Sequence, residues 1–176
     1  RKTKHIYDEW STKQTTQIPA IDCFLGDIYS GFQVSSLSHK DRAYAHQHLR
    51  IISGLYGLLR ALDGITPYRL EMAYRLPDPK YKNLYDFWGE KLASTVADED
   101  LIYNLSSVEY SSAILPYLTK TMVITPKFMT VDQKTGQPKF VVVHAKIARG
   151  AMASWIIKNR VEDAADLLHF NELGYR

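Results

Sequence analysis

The chain has 176 residues, of which 45% are hydrophobic and 23% charged, so it can bury a core and is not disordered by composition. A single cysteine, Cys23, excludes an internal disulfide framework and thiol-rich metal sites, and fits a reducing compartment such as the cytoplasm. No apolar run approaches the roughly 18 residues needed to span a membrane. Arg1 stands where a complete protein would begin with methionine, so we expect part of a longer protein.

The N-terminal part of the chain predicts alternating helices and buried strands. Residues 1–10 predict the end of a helix, and residues 11–18 predict a loop. Residues 19–32 predict a buried strand, and residues 37–50 predict a second helix. Gly26 predicts a bend in that strand, and Asp41 in the first turn favours the second helix. Residues 51–59 then resemble a second buried strand, which a turn at Asp63-Gly64 follows.

The middle of the chain predicts shorter elements. Residues 68–72 alternate polar and apolar side chains, which is typical of a strand, and residues 77–82 contain two prolines and form a loop. Asn83 can cap a helix that runs to about Val96. A short strand over residues 101–105 and a short helix from Ser106 complete this part.

A β-hairpin followed by a basic helix is the clearest supersecondary feature. Residues 122–131 and 139–144 flank the turn residues 134–138 as two hairpin strands. A helix over residues 146–160 follows, and a short acidic helix begins near Glu162. The mixture predicts a single α+β domain with a mixed sheet and surrounding helices.

Positive charge is concentrated in one segment. Residues 116–160 carry eight lysines and arginines against one acidic residue, Asp132, whereas the formal net charge of the whole chain is only +3. Such a segment attracts polyanions over about a Debye length.

The predicted basic helix has one apolar and one basic side. Four residues form the apolar side: Ala148, Met152, Trp155 and Ile156. Lys146, Arg149 and Arg160 fall within about 60° of each other, and the two arginines lie about 16 Å apart along the axis, a spacing that suits successive phosphates. The small residues Gly150 and Ala153 would let a phosphate or a backbone approach. The candidate nucleic-acid contacts are therefore Lys146, Arg149, Lys158 and Arg160, although an ordinary solvated helix face explains the same pattern.

Other chemistry has weaker support. His46 and His48 lie about 200° apart around a helix and cannot chelate one metal ion, and no nucleotide-binding or nucleophile motif occurs, so we predict no metal and no cofactor. Arg69 and Glu71 are expected to form an ion pair. An enzyme acting on a nucleotide or damaged base remains the alternative to a binding protein. Its polar pocket would be formed by Asp27, Glu71, Asn104 and Glu109, with Tyr68 and Arg69.

Several segments together resemble a known family over nearly the whole chain. They are GDIYSGF (26–32), HLRIISGLYGLLRALDGITPYRLEM (48–72), LYDFWGEKL (84–92), NLSSVEY (104–110), AKIARG (145–150) and FNELGY (170–175). In this order they resemble the YaaA-type peroxide stress proteins. Three positions depart from the usual family pattern: Ala73 replaces glycine, Val108 replaces aspartate, and Ile147 replaces a lysine.

The resemblance implies a bacterial, cytoplasmic protein that aids survival of hydrogen peroxide by limiting damage to DNA and the rise of free iron. It implies an unusual α+β fold with a positively charged cleft, DNA binding mainly through phosphates, and no established reaction. We place Arg60, Tyr68 and Arg69 in the cleft wall. The family's N-terminal strand and helix-hairpin-helix region, and its C-terminal strand, are not in this sequence, so residues 1–176 are expected to be a fragment of that single domain.

Overall fold

The computed structural model describes residues 17–175, which adopt a mixed α+β fold, as the sequence predicts. The chain divides into two compact units that alternate along the sequence. Of the described residues, 17–24, 45–100 and 106–122 form the first unit, and 25–44, 101–105 and 123–175 form the second. Whether they form one domain stays a prediction. In the part of the chain described, no helix is long and apolar enough to cross a membrane. The expected helix end over residues 1–10 lies outside the described residues, as does most of the loop that follows it.

The strands are short and the helices vary in length. The strands are β1 (Ile18–Pro19), β2 (Arg50–Ser53), β3 (Gly57–Arg60), β4 (Gly64–Ile65), β5 (Leu101–Tyr103), β6 (Met122–Ile124), β7 (Thr130–Val131) and β8 (Pro138–Lys139). The α-helices are α1 (Ala20–Cys23), α2 (Asp27–Phe32), α3 (His39–His48), α4 (Leu84–Trp88), α5 (Lys91–Ser94), α6 (Val108–Ser111) and α7 (Val142–Asn159). Short 3₁₀ helices cover Val34–Ser36, Leu115–Tyr117, Ala164–His169 and Glu172–Gly174.

The expected mixed sheet is wrong in one respect: within residues 17–175 the strands form separate two-stranded sheets. They pair β1 with β4, β2 with β3, β5 with β6, and β7 with β8. The strands have two to four residues, shorter than the usual length of about five to six, so few ladder hydrogen bonds hold each pairing together.

In the first unit, the predicted strand over residues 51–59 is two antiparallel strands, β2 and β3. Gly57 begins the return strand with a φ of +81°, a left-handed conformation that glycine adopts without a steric penalty. A small buried core of Ala20, Ile51, Leu59 and Ile65 lies on one side of this hairpin. The apolar run over residues 51–59, which predicted one strand, therefore contains a tight turn between two strands.

Two further predicted strands are not formed. Residues 20–32 contain α1 and α2 rather than a bent strand, because a short apolar run fits a buried helix as well as a buried strand. Residues 68–72 pair with no strand, and a turn follows in which the Tyr74 N–H donates to the Glu71 carbonyl over 3.1 Å. The alternation there places Met72 in the core, at 0% exposure, without a sheet.

Helix boundaries follow local capping. The Asn83 side chain accepts a hydrogen bond from the Asp86 N–H at 2.9 Å and begins α4, as predicted. The helix ends at Trp88 rather than near Val96 because Gly89 adopts a φ of +51°. The predicted helix at 37–50 is confirmed as α3, and the acidic segment forms the 3₁₀ helix Ala164–His169.

In the second unit, α2 and α7 pack at very close range. The helices meet at two glycines: a Cβ on Gly31 would overlap the Ile147 carbonyl, and one on Gly150 would overlap the Ile28 carbonyl. The other core of this unit contains Phe128, Ala145, Ala148, Ala151, Met152 and Phe170, with Trp155 and Ile156 packed against it. The predicted apolar side of the helix is thus confirmed, and a neighbouring helix backbone occupies the space beside Gly150.

The β-hairpin and the helix after it are confirmed with shifted limits. The hairpin is reduced to β7 and β8, and Met122–Ile124 pairs with β5 instead. The helix begins at Val142 rather than Lys146, so residues 142–144 belong to α7 and not to a strand.

Candidate nucleic-acid interface

The basic residues of α7 differ in how firmly they are held. The Lys146 Nζ lies 3.8 Å from the Asp27 carboxylate, and the two side chains are 46% and 45% exposed. The Lys158 Nζ donates to the Ser36 hydroxyl at 2.8 Å, and Lys158 is exposed. Both ammonium groups are therefore accessible to solvent, and the single contact that each makes adds little net stability.

Arg160 is fixed inside the second unit. It ends α7 in a left-handed conformation with a φ of +55°. Its guanidinium lies 2.9 Å from the Asp41 carboxylate and 4.3 Å from the centre of the Tyr44 ring, and it also donates to the Ile157 carbonyl. These contacts use the flat faces and the donors of the guanidinium to join α7 to α3.

Arg149 is half-buried, and its Nε atom is buried without a hydrogen-bond partner among the described residues. The hairpin lysines are more open. Lys127 and Lys134 are exposed, and the Lys139 side chain is 58% exposed, 3.4 Å from Asp132. The Asp132 carboxylate also accepts the N–H groups of Lys134 and Thr135, and these backbone hydrogen bonds hold its pKa below the usual range.

The predicted cleft residues Arg60, Tyr68 and Arg69 belong to the first unit. Arg60 is exposed at the end of β3, directly opposite Arg50 on β2. The expected Arg69–Glu71 ion pair is confirmed at 3.4 Å, with Arg69 71% exposed.

Tyr68 lies in a packed aromatic network. Its hydroxyl forms a short hydrogen bond with the hydroxyl of Ser53, which is completely buried, and its ring contacts Tyr56 and Phe24 edge-to-face at 5.3 and 6.0 Å. Ser53 also accepts the Tyr56 N–H at 2.9 Å. Burial raises the pKa of Tyr68 to about 12. The Tyr68 phenol therefore stays neutral at physiological pH and serves as a hydrogen-bonding group.

The residues of the predicted polar pocket fall in different units. Asp27 and Asn104 belong to the second unit, where Asn104 donates to the Thr125 hydroxyl at 3.1 Å. Glu71 and Glu109 belong to the first unit. The Glu109 carboxylate accepts the Ala73 N–H at 3.1 Å, and its backbone carbonyl accepts the Tyr85 hydroxyl at 2.8 Å.

The charges of two carboxylates act on the Tyr110 phenol in the first unit. Burial, followed by the negative charges of Glu109 and Glu71, raises the pKa of the Tyr110 phenol.

The sequence did not predict Ser53 as a partner of Tyr68, or Tyr85 and Tyr110 as neighbours of Glu109. The available signal was Ser53, a hydroxyl residue that follows two isoleucines in the predicted buried strand over residues 51–59 and whose oxygen requires a partner when buried. Within residues 17–175, no three acidic, histidine or cysteine side chains are grouped so as to hold a metal ion.

The molecule is thus an α+β protein with exposed lysines along a hairpin and the helix after it, and no recognisable catalytic motif. The family model of the peroxide stress protein YaaA matches residues 1–176, and the chain belongs to this family. The expected family resemblance is therefore confirmed.

Three curated relatives of similar sequence are named UPF0246 proteins. One from Salinispora tropica is 53% identical over 175 residues, covering 99% of this chain and 66% of the relative. One from Cellvibrio japonicus is 44% identical over 176 residues, covering 96% and 67%, and one from Shewanella baltica is 49% identical over 162 residues, covering 89% and 62%. The chain spans about two thirds of the length of these relatives.

Proposed function

We propose that this chain is a cytoplasmic DNA-binding protein of the bacterial peroxide response, which limits oxidative damage to DNA and the rise of free iron. The family assignment supports the role in peroxide stress. DNA binding rests on one observation, the exposed lysines of the hairpin and of α7, namely Lys127, Lys134, Lys146 and Lys158. Duplex DNA presents closely spaced phosphates, and lysines bind them without reading base sequence.

The strength of the existing contacts decides which basic residues are available to DNA. An exposed ion pair such as Lys146–Asp27 is worth about 0–1 kcal/mol, so a phosphate can replace the carboxylate at little cost. Arg160 differs, because binding a phosphate would break its contacts with Asp41 and Tyr44. We therefore assign the main phosphate contacts to the lysines. The predicted contacts from Arg149, Arg160, Arg60, Tyr68 and Arg69 stay predictions.

Salt-dependent binding to fluorescent duplex DNA tests the proposal. The double substitution Lys134→Ala with Lys146→Ala removes two exposed positive charges from the second unit. Its matched control, Lys80→Ala with Lys82→Ala, removes two exposed positive charges from the first unit, outside the basic segment. Each lost phosphate contact lowers the slope of log affinity against log salt by about 0.9, so we expect a loss of about 2 for the first variant.

We expect the control variant to keep the slope and the affinity of the unmodified chain. Equal losses in the two variants would mean that DNA senses only the net charge of the protein. Binding that is absent in the unmodified chain, or insensitive to salt, would refute the proposed DNA contact.

A further inference from the structure

The hairpin of β7 and β8 has two chemically different faces. Thr130 pairs with Lys139 and Val131 with Pro138 in antiparallel register. The register puts Val131 and Pro138 on the same face. Because side chains alternate along extended chain, continuing the register by one residue beyond each strand adds Met129 and Phe140 to that face. On the opposite face, Phe128 is buried in the core at 4% exposure. We call the four-residue surface the apolar hairpin face.

This apolar hairpin face is open to solvent. Met129, Val131 and Phe140 are 42%, 68% and 52% exposed, and Pro138 is also exposed. Val142 and Val143, in the first turn of α7, follow directly and are 56% and 49% exposed. Single exposed apolar residues are ordinary, whereas a group that covers one face of an element marks an interaction surface.

The charge around the apolar hairpin face indicates what binds there. Lys127 and Lys134 are exposed and adjacent to it in the sequence, whereas Lys139 pairs with Thr130 and lies on the opposite face of the hairpin. The one acidic residue of the hairpin, Asp132, is engaged by the N–H groups of its own turn and by Lys139. An apolar surface bordered by lysines is complementary to DNA, which presents phosphates outside and apolar base faces inside.

The side-chain types distinguish between two ways of contacting bases. Proteins that bind single strands stack successive bases on several aromatic rings, but this surface offers one ring, Phe140, among aliphatic side chains. Phenylalanine, methionine and proline are instead the residues that architectural proteins insert as wedges between base steps in the minor groove. The composition therefore favours a wedge over a stacking platform.

We propose that the apolar hairpin face contacts a base step of duplex DNA from the minor groove, partly unstacks it and bends the duplex. This inference rests on the proposed function, because the flanking lysines must first bind phosphates. The phosphate contacts supply most of the affinity, and the wedge changes the shape of the DNA.

Two optical signals test the wedge with the 176-residue chain. Energy transfer between dyes on the two ends of a short duplex reports bending, and 2-aminopurine within the duplex becomes brighter when its base step is unstacked. The unmodified chain should bend the duplex by about 20–90° and raise the 2-aminopurine signal. Phe140→Ala should reduce both signals at least threefold while the salt slope stays unchanged. Leu168→Ala, at another exposed apolar residue of the same unit, should leave both signals unchanged.

Val131→Thr preserves side-chain shape and serves as a second test if Phe140→Ala fails to fold; it too should reduce both signals. Salt-dependent binding without bending, or full bending by both hairpin variants, would overturn this inference and leave the proposed function intact. Loss of dimers in the hairpin variants without DNA, by sedimentation, would overturn it in favour of a second copy of the chain as the occupant. No DNA binding by the unmodified chain would overturn both.

Discussion

The guanidinium of Arg160 lies 2.9 Å from the carboxylate of Asp41, across 119 positions of sequence. Arg160 ends α7, and Asp41 lies in the first turn of α3. The same carboxylate accepts the N–H and the hydroxyl of Ser38, at 3.0 and 2.6 Å. Asp41 therefore caps its own helix and anchors the end of another, which gives Arg160 a structural role.

Acid should weaken the second unit through Asp41. The hydrogen bonds from Ser38, followed by the contact with Arg160, hold the pKa of Asp41 below its usual value of 3.8. A carboxylate whose pKa is lower in the folded protein stabilises the fold above the unfolded pKa, and that stabilisation is lost as the pH falls through the folded pKa. Thermal melts from pH 7 to pH 2 should show this loss in the unmodified chain.

Asp41→Asn should reduce that acid-dependent loss, because the amide cannot change its charge. Asp78→Asn, an exposed control in the first unit, should retain the full loss. An identical pH dependence in the unmodified chain and in Asp41→Asn would show that Asp41 is not linked to folding.

Gly150→Ala should destabilise the protein even though alanine is the better helix former. Elsewhere in a helix this change stabilises by up to about 1 kcal/mol. Here the added Cβ would lie 2.6 Å from the Phe32 backbone nitrogen and would overlap the Ile28 carbonyl, so α2 and α7 must separate. We expect a loss of about 3 kcal/mol in the free energy of unfolding, by urea titration with tryptophan fluorescence. Ala153→Gly, in the same helix, should cost only about 1 kcal/mol. An increase in stability for Gly150→Ala would contradict the close packing.

Local signals in the sequence predicted the elements that depend on local interactions. Asn83 identified the start of α4, and the apolar side of α7 was found at Ala148, Met152, Trp155 and Ile156. The strand predicted over residues 19–32 failed because a short apolar run has the same composition in a strand and in a buried helix. The role of Gly150 depends on its contact with Ile28, 122 positions earlier in the chain, and helical periodicity carries no information about such a distant partner.

The residues of the candidate site divide in the same way, into those that local sequence predicts and those that depend on a distant partner. The lysines of the hairpin and α7 were predicted because charge is visible in composition. The Arg69–Glu71 pair was predicted because its members are two residues apart. The long-range hydrogen bond between Ser53 and Tyr68 was not predicted, since a serine next to buried apolar residues indicates that it has a partner without identifying that partner.

Ser53→Ala should cost about 1–3 kcal/mol of unfolding free energy, because it leaves the Tyr68 hydroxyl and the Tyr56 N–H without their partner in a largely buried place. The hydroxyl of the exposed residue Ser112 also forms a hydrogen bond, which it donates to the Val108 carbonyl at 2.7 Å. Ser112→Ala should therefore change the stability by less than about 0.5 kcal/mol in the same urea titration. Equal effects of the two substitutions would mean that the buried network adds no stability.

Alkali should destabilise the first unit through Tyr68. Burial raises the pKa of this phenol to about 12, whereas the ordinary value is 10.0. Its stabilisation of the fold is complete below pH 10 and is lost as the pH rises towards 12, because the unfolded chain ionises first. The loss from this group should be at most about 2 kcal/mol, since the side chain is partly solvated.

Urea titrations at pH 9 and 11 should show this loss of unfolding free energy in the unmodified chain and a smaller loss in Tyr68→Phe. The exposed Tyr117→Phe should behave like the unmodified chain. If Tyr68→Phe keeps the whole alkaline loss, another group is responsible, and Tyr68 ionises as easily in the folded protein as in the unfolded chain.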